Sequence, residues 1–212
     1  MLDVLYEDNH IIVAYKEKGI LSQADGSNRP DMLTILKKYI KEKYNKPGEV
    51  YLGLLHRLDT NTSGVMVFAR TSKAAKRLSE DIKNHNFEKH YKATVEGIIK
   101  NDSYVRLENK ISKNENEKKA YIDNKNGKEA ILDYKLIKNY QINGVDVSDI
   151  EVNLLTGRFH QIRLQMSNIG HPLYGDIKYG SKHKLDDFNL PLDAYYLKIT
   201  HPVKHEVMEF KR

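Results

Sequence analysis

The 212-residue chain has no cysteine, which removes disulfides, thiolate metal sites and cysteine nucleophiles together. It has no apolar run near the roughly 20 residues that a membrane-crossing helix needs. Its first residues, MLDVLYEDNHIIVAYKEKG, bring in acids early and lack the apolar centre of a signal peptide. Proline and glycine number only 5 and 12, which argues against a disordered chain. Cofactor signatures are missing as well: neither GxxxxGKS/T nor GxGxxG occurs, and the GxSxG elbow of serine hydrolases is absent. His56, His160 and His171 do not fall into HExxH or paired-helix spacing, so no metal is expected. These absences describe a soluble, intracellular, cytoplasmic chain that works without metal or cofactor.

What is present is ordinary in amount and basic in balance. Hydrophobic residues make up 40% and charged residues 30%, as in other globular proteins. The length suits one large domain or two closely packed lobes, and we expect a single domain over residues 1–212. The net charge is +6, which is compatible with a polyanionic partner but does not by itself identify one.

The pattern along the chain is mixed. Residues 3–16 read as a hairpin around the polar turn Glu7-Asp8-Asn9-His10. Asp31 gives a helix-start signal, and Met32, Leu33, Leu36, Tyr39, Ile40 and Tyr44 recur at helical spacing. Val50 to Leu55 and Val65 to Ala69 read as strands, and Thr71 caps a helix carrying Ala74, Leu78 and Ile82. His90 to Ile99 alternates, with Tyr91, Ala93 and Val95 on one face. Residues 100–148 read as several short β-runs, with Ser112 to Lys119 as an exposed turn. Ile150 to Leu155 is a further strand, a helix follows and ends at Gly170, and a strand pair flanks Pro202. The sum is an α+β protein with mostly antiparallel sheet and flanking helices.

Three clusters could carry chemistry. In the first, Leu55-His56-Arg57-Leu58-Asp59-Thr60-Asn61-Thr62-Ser63-Gly64, one β-run feeds an acid set among basic residues and a second β-run follows. Two strands would hold such a loop rigidly, although an exposed Arg57–Asp59 pair of little consequence fits the spacing equally well. In the second, Leu154-Leu155-Thr156-Gly157-Arg158-Phe159-His160-Gln161-Ile162-Arg163-Leu164, basic groups meet a helix start. They could hold phosphates or reach a buried carboxylate, or they could be a solvated face. In the third, Lys89-His90-Tyr91-Lys92-Ala93-Thr94-Val95-Glu96-Gly97, the Tyr91 ring could stack on a base or simply pack in the core. The turn Gly170-His171-Pro172-Leu173-Tyr174-Gly175-Asp176 reads as structural.

With these residues in view, the chain resembles the RluA family of pseudouridine synthases. HRLDTNTSG at 56–64 is similar to that family's HRLDxxTSG signature, the Tyr91 strand to its tyrosine-bearing strand, and residues 156–163 with the following turn to its arginine motif. The resemblance implies a pseudouridine synthase fold with a central RNA-binding cleft. It implies isomerisation of uridine in structured ribosomal or transfer RNA with no cofactor. No membrane or obligate protein partner is expected, and a monomer is expected because no assembly segment stands out. It makes Asp59, Tyr91 and Arg163 the catalytic candidates, Arg163 keeping Asp59 ionised. His56, Arg57, Thr62, Arg158, Gln161 and Leu164 become candidates for binding the substrate. The added N-terminal S4 RNA-binding domain of many relatives has no room here. Two positions depart from the pattern: Lys16-Glu17-Lys18-Gly19 stands where Lys-Pro-x-Gly is frequent, and Phe159 where threonine is frequent.

Two other readings compete with this one. A catalytically silent RNA-binding factor could share the motifs, and a carboxylate-based glycoside hydrolase would instead need two paired acids.

Overall fold

The computed structural model describes residues 2–185 and 188–212. In chain order its elements are β1 (Asp3–Glu7), β2 (Ile11–Lys16), α1 (Met32–Lys43), β3 (Gly53–Leu54), β4 (Ser63–Ala69), α2 (Ser72–Lys83), β5 (Glu88–Glu96) and β6 (Val105–Asn114). There follow β7 (Lys119–Ile122), β8 (Lys128–Ile142), β9 (Val145–Leu154), α3 (Gln161–Asn168), a single 3-10 turn at Ile177–Tyr179, β10 (Leu192–Thr200) and β11 (Val207–Lys211). The fold is mixed α+β with mostly antiparallel pairing, and it divides into two compact units: Met1–Phe87 with Ala194–Arg212, and Glu88–Asp193. No helix among the described residues is long and apolar enough to cross a membrane.

The first unit grows from the expected hairpin. Asp8 turns the chain by accepting the backbone N–H groups of His10 and Ile11 at 2.7 and 2.9 Å, a side-chain mimic of a backbone turn. β2 then pairs antiparallel with β4, Ile11 opposite Ala69 and Lys16 opposite Gly64. Alternation sends Ile11, Val13, Val65, Val67, Leu197 and Ile199 into one core with Leu78 of α2 and Phe210 of β11. Ile12, Ala14, Met66 and Phe68 on the other face are equally buried, so this sheet is covered on both sides. Both long helices start where expected: Asp31 accepts from Thr34 N–H at 3.0 Å and Thr71 from Ala74 N–H at 3.1 Å. The strand expected over Val50 to Leu55 shrinks to the two residues of β3, which pair only with Ala69 and Phe68 at the end of β4.

The second unit orders its strands β5-β9-β8-β6-β7, all antiparallel. Here the sequence reading of short runs is corrected. β6 has 10 residues and β8 has 15, because their polar residues lie on outward positions of continuous ladders and do not interrupt them. Ala130, Leu132 and Tyr134 of β8 point inward and are buried. The expected turn at Ser112 to Lys119 is narrower, since Ser112–Asn114 complete β6 and Lys119 opens β7. Leu164 of α3 packs with Ile111, Ala120, Ala130 and Tyr179 in the core of this unit.

Candidate active site

The loop between β3 and β4 carries Asp59 and is pinned on both sides of it. Before it, Leu58 is buried and its backbone closes on one hydroxyl: Leu58 N–H donates to Ser22 Oγ at 3.0 Å, and Ser22 Oγ donates to the Leu58 carbonyl at 2.8 Å. After it, Thr62 N–H donates to the Asp59 carbonyl at 3.0 Å, and Gly19 N–H to the Thr60 carbonyl at 2.9 Å. His56 ties the loop back to β4, its Nε2 accepting from Val67 N–H at 3.2 Å, with its ring edge-on to Phe87. Just past the loop, the second residue of β4 is Gly64, whose φ is +144°. A Cβ there would collide with the Cβ, Cα and carbonyl of Ala194, so only glycine fits this approach.

Beneath the loop lies Lys16, which is fully buried. Its ammonium donates to the carbonyls of Ile20 at 2.8 Å, Glu17 at 3.2 Å and, at 3.4 Å, Thr60. Burial pushes its pKa down to about 8, opposed by the charges of Asp59 and Glu17. At neutral pH it therefore remains mainly an ammonium that favours the Asp59 carboxylate. The sequence reading noted Lys16 only as the start of the segment Lys16-Glu17-Lys18-Gly19, gave it no part in the site, and passed over Ser22. A lysine that follows five apolar or aromatic positions of β2 was a signal of its burial.

In the second unit, Tyr91 sits on β5 opposite Val152, and it is buried on the same face as Ala93 and Val95, as the alternation predicted. The loop after β9 is built around Gln161. Gln161 Oε1 accepts from Thr156 Oγ1 at 2.9 Å and from Arg158 N–H at 3.0 Å, while Nε2 donates to the Ile131 carbonyl at 3.1 Å. Gln161 is buried, so its amide serves the loop. Arg158 is half-buried and donates from Nε to the Glu129 carbonyl at 2.7 Å. Arg163 is buried, and Asp176 grips it by two parallel bonds, from Nε at 2.7 Å and from Nη2 at 2.8 Å. The guanidinium lies 4.9 Å from the Tyr179 ring centre. Asp176 thus does more than the structural turn expected of it: it sets one edge of the guanidinium and leaves the Nη1 edge to other groups.

The catalytic candidates therefore divide, with Asp59 in the first unit and Tyr91 and Arg163 in the second. Of the substrate-binding candidates, Arg57 is exposed and Arg158 half-buried. His56, Gln161 and Leu164 are engaged inside the protein. Thr62 is buried, and its hydroxyl meets no hydrogen-bond partner among the described residues. Among the described residues no three His, Asp or Glu side chains converge as metal ligands would.

The architecture is that of an RNA pseudouridylate synthase. A solved human structure, RNA pseudouridylate synthase domain containing 1, superposes with a TM-score of 0.77 at 26% identity, covering 100% of this chain and 83% of that one. The family model for RNA pseudouridylate synthase matches residues 10–168, and the chain belongs to that family, a family of isomerases. It is 35% identical to the dual-specificity RNA pseudouridine synthase RluA of Haemophilus influenzae over 99% of this chain and 91% of that protein. It is 31% identical to the ribosomal large subunit pseudouridine synthase D of the same organism, over 99% of this chain and 66% of that protein. Membership sets the glycoside hydrolase reading aside.

Proposed function

We propose that this chain converts uridine to pseudouridine in a structured RNA, with Asp59 acting at ribose C1′. The observation that carries the assignment is the pinned carboxylate. Asp59 is half-buried on a loop whose backbone is bonded at Leu58, Asp59 and Thr60, with the Lys16 ammonium as counter-charge. Preorganised charge of this kind is what a reaction at an anomeric carbon demands. Bond by bond, C1′–N1 breaks, the uracil turns, C1′ joins C5, and the C5 proton leaves while N1 gains one. Asp59 begins this either as nucleophile at C1′, giving an ester that C5 displaces, or as base toward the 2′ proton, giving a glycal. A primary isotope effect with C2′-deuterated uridine would select the second route.

We assign Tyr91 to the face of the target uracil and Arg163 to the counter-charge of Asp59, with Asp176 fixing its orientation. Exposed Arg57 fills the space left by the extruded base, a step costing a few kcal/mol and least for an unpaired nucleotide. His56, Thr62, Gln161 and Leu164 serve binding by shaping the loops that present Arg57 and Arg158. We take residues 1–212 as one catalytic domain, active as a cytoplasmic monomer. The name of the synthase D relative makes ribosomal RNA the first substrate to test; structured transfer RNA is the second. The test is tritium release from RNA carrying C5-tritiated uridine. Asp59→Asn should bind RNA and lower release at least about a thousandfold; release near the wild-type rate would overturn the role of Asp59.

A further inference from the structure

A groove of about 340 Å³ opens in the second unit between the β6–β8 ladder and the loop before α3. The volume is within the range of small-ligand pockets. Its lining includes Lys113, Lys128, Arg158, Phe159 and the bare backbone of Gly157, with no carboxylate among the described residues. Lys89 adds charge behind Gly157, its ammonium 3.8 Å from where a Cβ would stand. Two acids of the adjoining turns are engaged. Glu115 is paired with Lys113. Asp123 accepts from the Lys125 and Asn126 N–H groups at 3.1 and 3.0 Å and from Ser112 Oγ at 2.7 Å. Arg158 is anchored by Nε on the Glu129 carbonyl, which leaves its terminal amino groups for a ligand.

Phe159 forms the aromatic wall. It stacks on His160 with ring centres 3.7 Å apart and planes 21° apart, and His160 bonds in turn to the Tyr179 hydroxyl at 2.8 Å. Burial, together with the positive charges of Arg163, Lys178 and Lys113, pushes His160 down to about 3, so the plate behind Phe159 is uncharged at working pH. The Lys113 ammonium lies 4.8 Å over the Phe159 ring. That lysine is exposed and flexible, so it can leave the ring for an incoming phosphate. A cationic groove beside an aromatic platform is the arrangement that holds single strands by phosphate and base face.

We infer that this groove binds a single-stranded stretch of the RNA substrate other than the reacting uridine, its phosphate among Lys113, Lys128 and Arg158 and one base against Phe159. The inference rests on the reading that the substrate is RNA. It extends the binding assigned to Arg158 with Lys113, Lys128 and Phe159, to which no part of the reaction is assigned.

The test is anisotropy of a fluorescent oligouridine with the full chain over a series of salt concentrations. Changing the two exposed lysines together, Lys113→Gln with Lys128→Gln, should reduce the slope of log affinity against log salt by about 1.4, near 0.7 for each single-strand phosphate that is no longer neutralised. Phe159→Leu keeps the apolar packing and should weaken binding about five- to 150-fold, while Phe159→Tyr should restore it. An unchanged slope in the lysine pair, or undiminished affinity in Phe159→Leu, overturns the groove. Tritium release measured in parallel keeps the two readings apart. Release by the wild type without oligouridine binding sinks the groove alone. Binding with the expected slopes but no release supports the groove and sinks the isomerase.

Discussion

Lys16 in the first unit and Arg163 in the second are both cations taken almost wholly out of water, and the two units satisfy them in opposite ways. Lys16 has three backbone carbonyls and, close by, the charge of Asp59. Arg163 has a carboxylate in fork-to-fork geometry, with only 8% and 2% of the two side chains exposed. The difference follows from the side chains. An ammonium is a compact donor that can release its proton when burial becomes costly, whereas a guanidinium remains charged and presents a planar fork suited to a carboxylate. The first unit therefore holds a cation whose charge depends on pH beneath its acid. The second holds a permanent one, aimed by a second acid.

The largest effect should come from breaking the permanent pair. Asp176→Ala leaves Arg163 buried without its carboxylate, and we expect a loss of about 3–5 kcal/mol in unfolding free energy. Arg163→Met combined with Asp176→Leu removes both charges and should recover most of that stability, yet show no tritium release. Urea unfolding of the single and double variants checks the first part and the turnover assay the second. If Asp176→Ala costs less than about 1 kcal/mol, the pair behaves like an exposed one and the contrast with Lys16 fails.

The titratable cation gives a smaller, pH-dependent effect. The folded pKa of Lys16, about 8, lies below its ordinary 10.5. Between those values the unfolded chain binds more protons than the folded one, so stability rises with pH across this window. Below pH 8 both states hold the proton and Lys16 contributes no slope. The rise is about 1.4 kcal/mol per pH unit and at most about 3 kcal/mol in all. Lys16→Met should abolish it, so the stability difference between wild type and variant should be flat below pH 8 and change above it. Parallel urea midpoints across pH 7 to 10 would show that Lys16 titrates like an exposed lysine.

The contrast also shows what could be read in the sequence. The hairpin, both capped helices and β4 follow from local chemistry, namely Asp8 in the turn, Asp31 and Thr71 at the caps, and unbroken apolar residues in β4. β8 did not, because its Lys, Asn and Gln residues look like loop and become strand only through the ladders on either side. Asp59, Tyr91 and Arg163 stood out because their types and spacing resemble a family's motifs. What holds them did not stand out. Ser22 lies 36 residues from Leu58 and Asp176 lies 13 from Arg163, and such partnerships are set by tertiary structure. Gly64 sits between the two cases: its place in the motif was visible, but the approach of Ala194 that requires it was not.

Gln161 gives the smallest effect and the finest test of how the two loops differ. In the Asp59 loop, backbone groups meet Ser22, Lys16 and Gly19, which come from outside the loop. The Arg163 loop leans on β8, through Thr156 on Ile131 and Arg158 on Glu129, and is tightened by a single amide that bonds Thr156, Arg158 and the Ile131 carbonyl. Gln161→Leu keeps the volume but takes the acceptor from the Arg158 N–H, while Thr156 and Ile131 keep their bonds to each other; an unsatisfied buried group costs about 1–3 kcal/mol, partly recovered by relaxation and water. We expect a net loss of about 1–3 kcal/mol, together with a fall in RNA affinity as Arg158 loses its fixed backbone. Gln161→Glu retains the Oε1 acceptor for Thr156 and Arg158 but cannot donate to Ile131, so it should damage affinity less than Gln161→Leu. If Gln161→Leu instead weakens binding with no loss of stability, the amide touches RNA directly, and the loop must owe its shape to the helix that follows it.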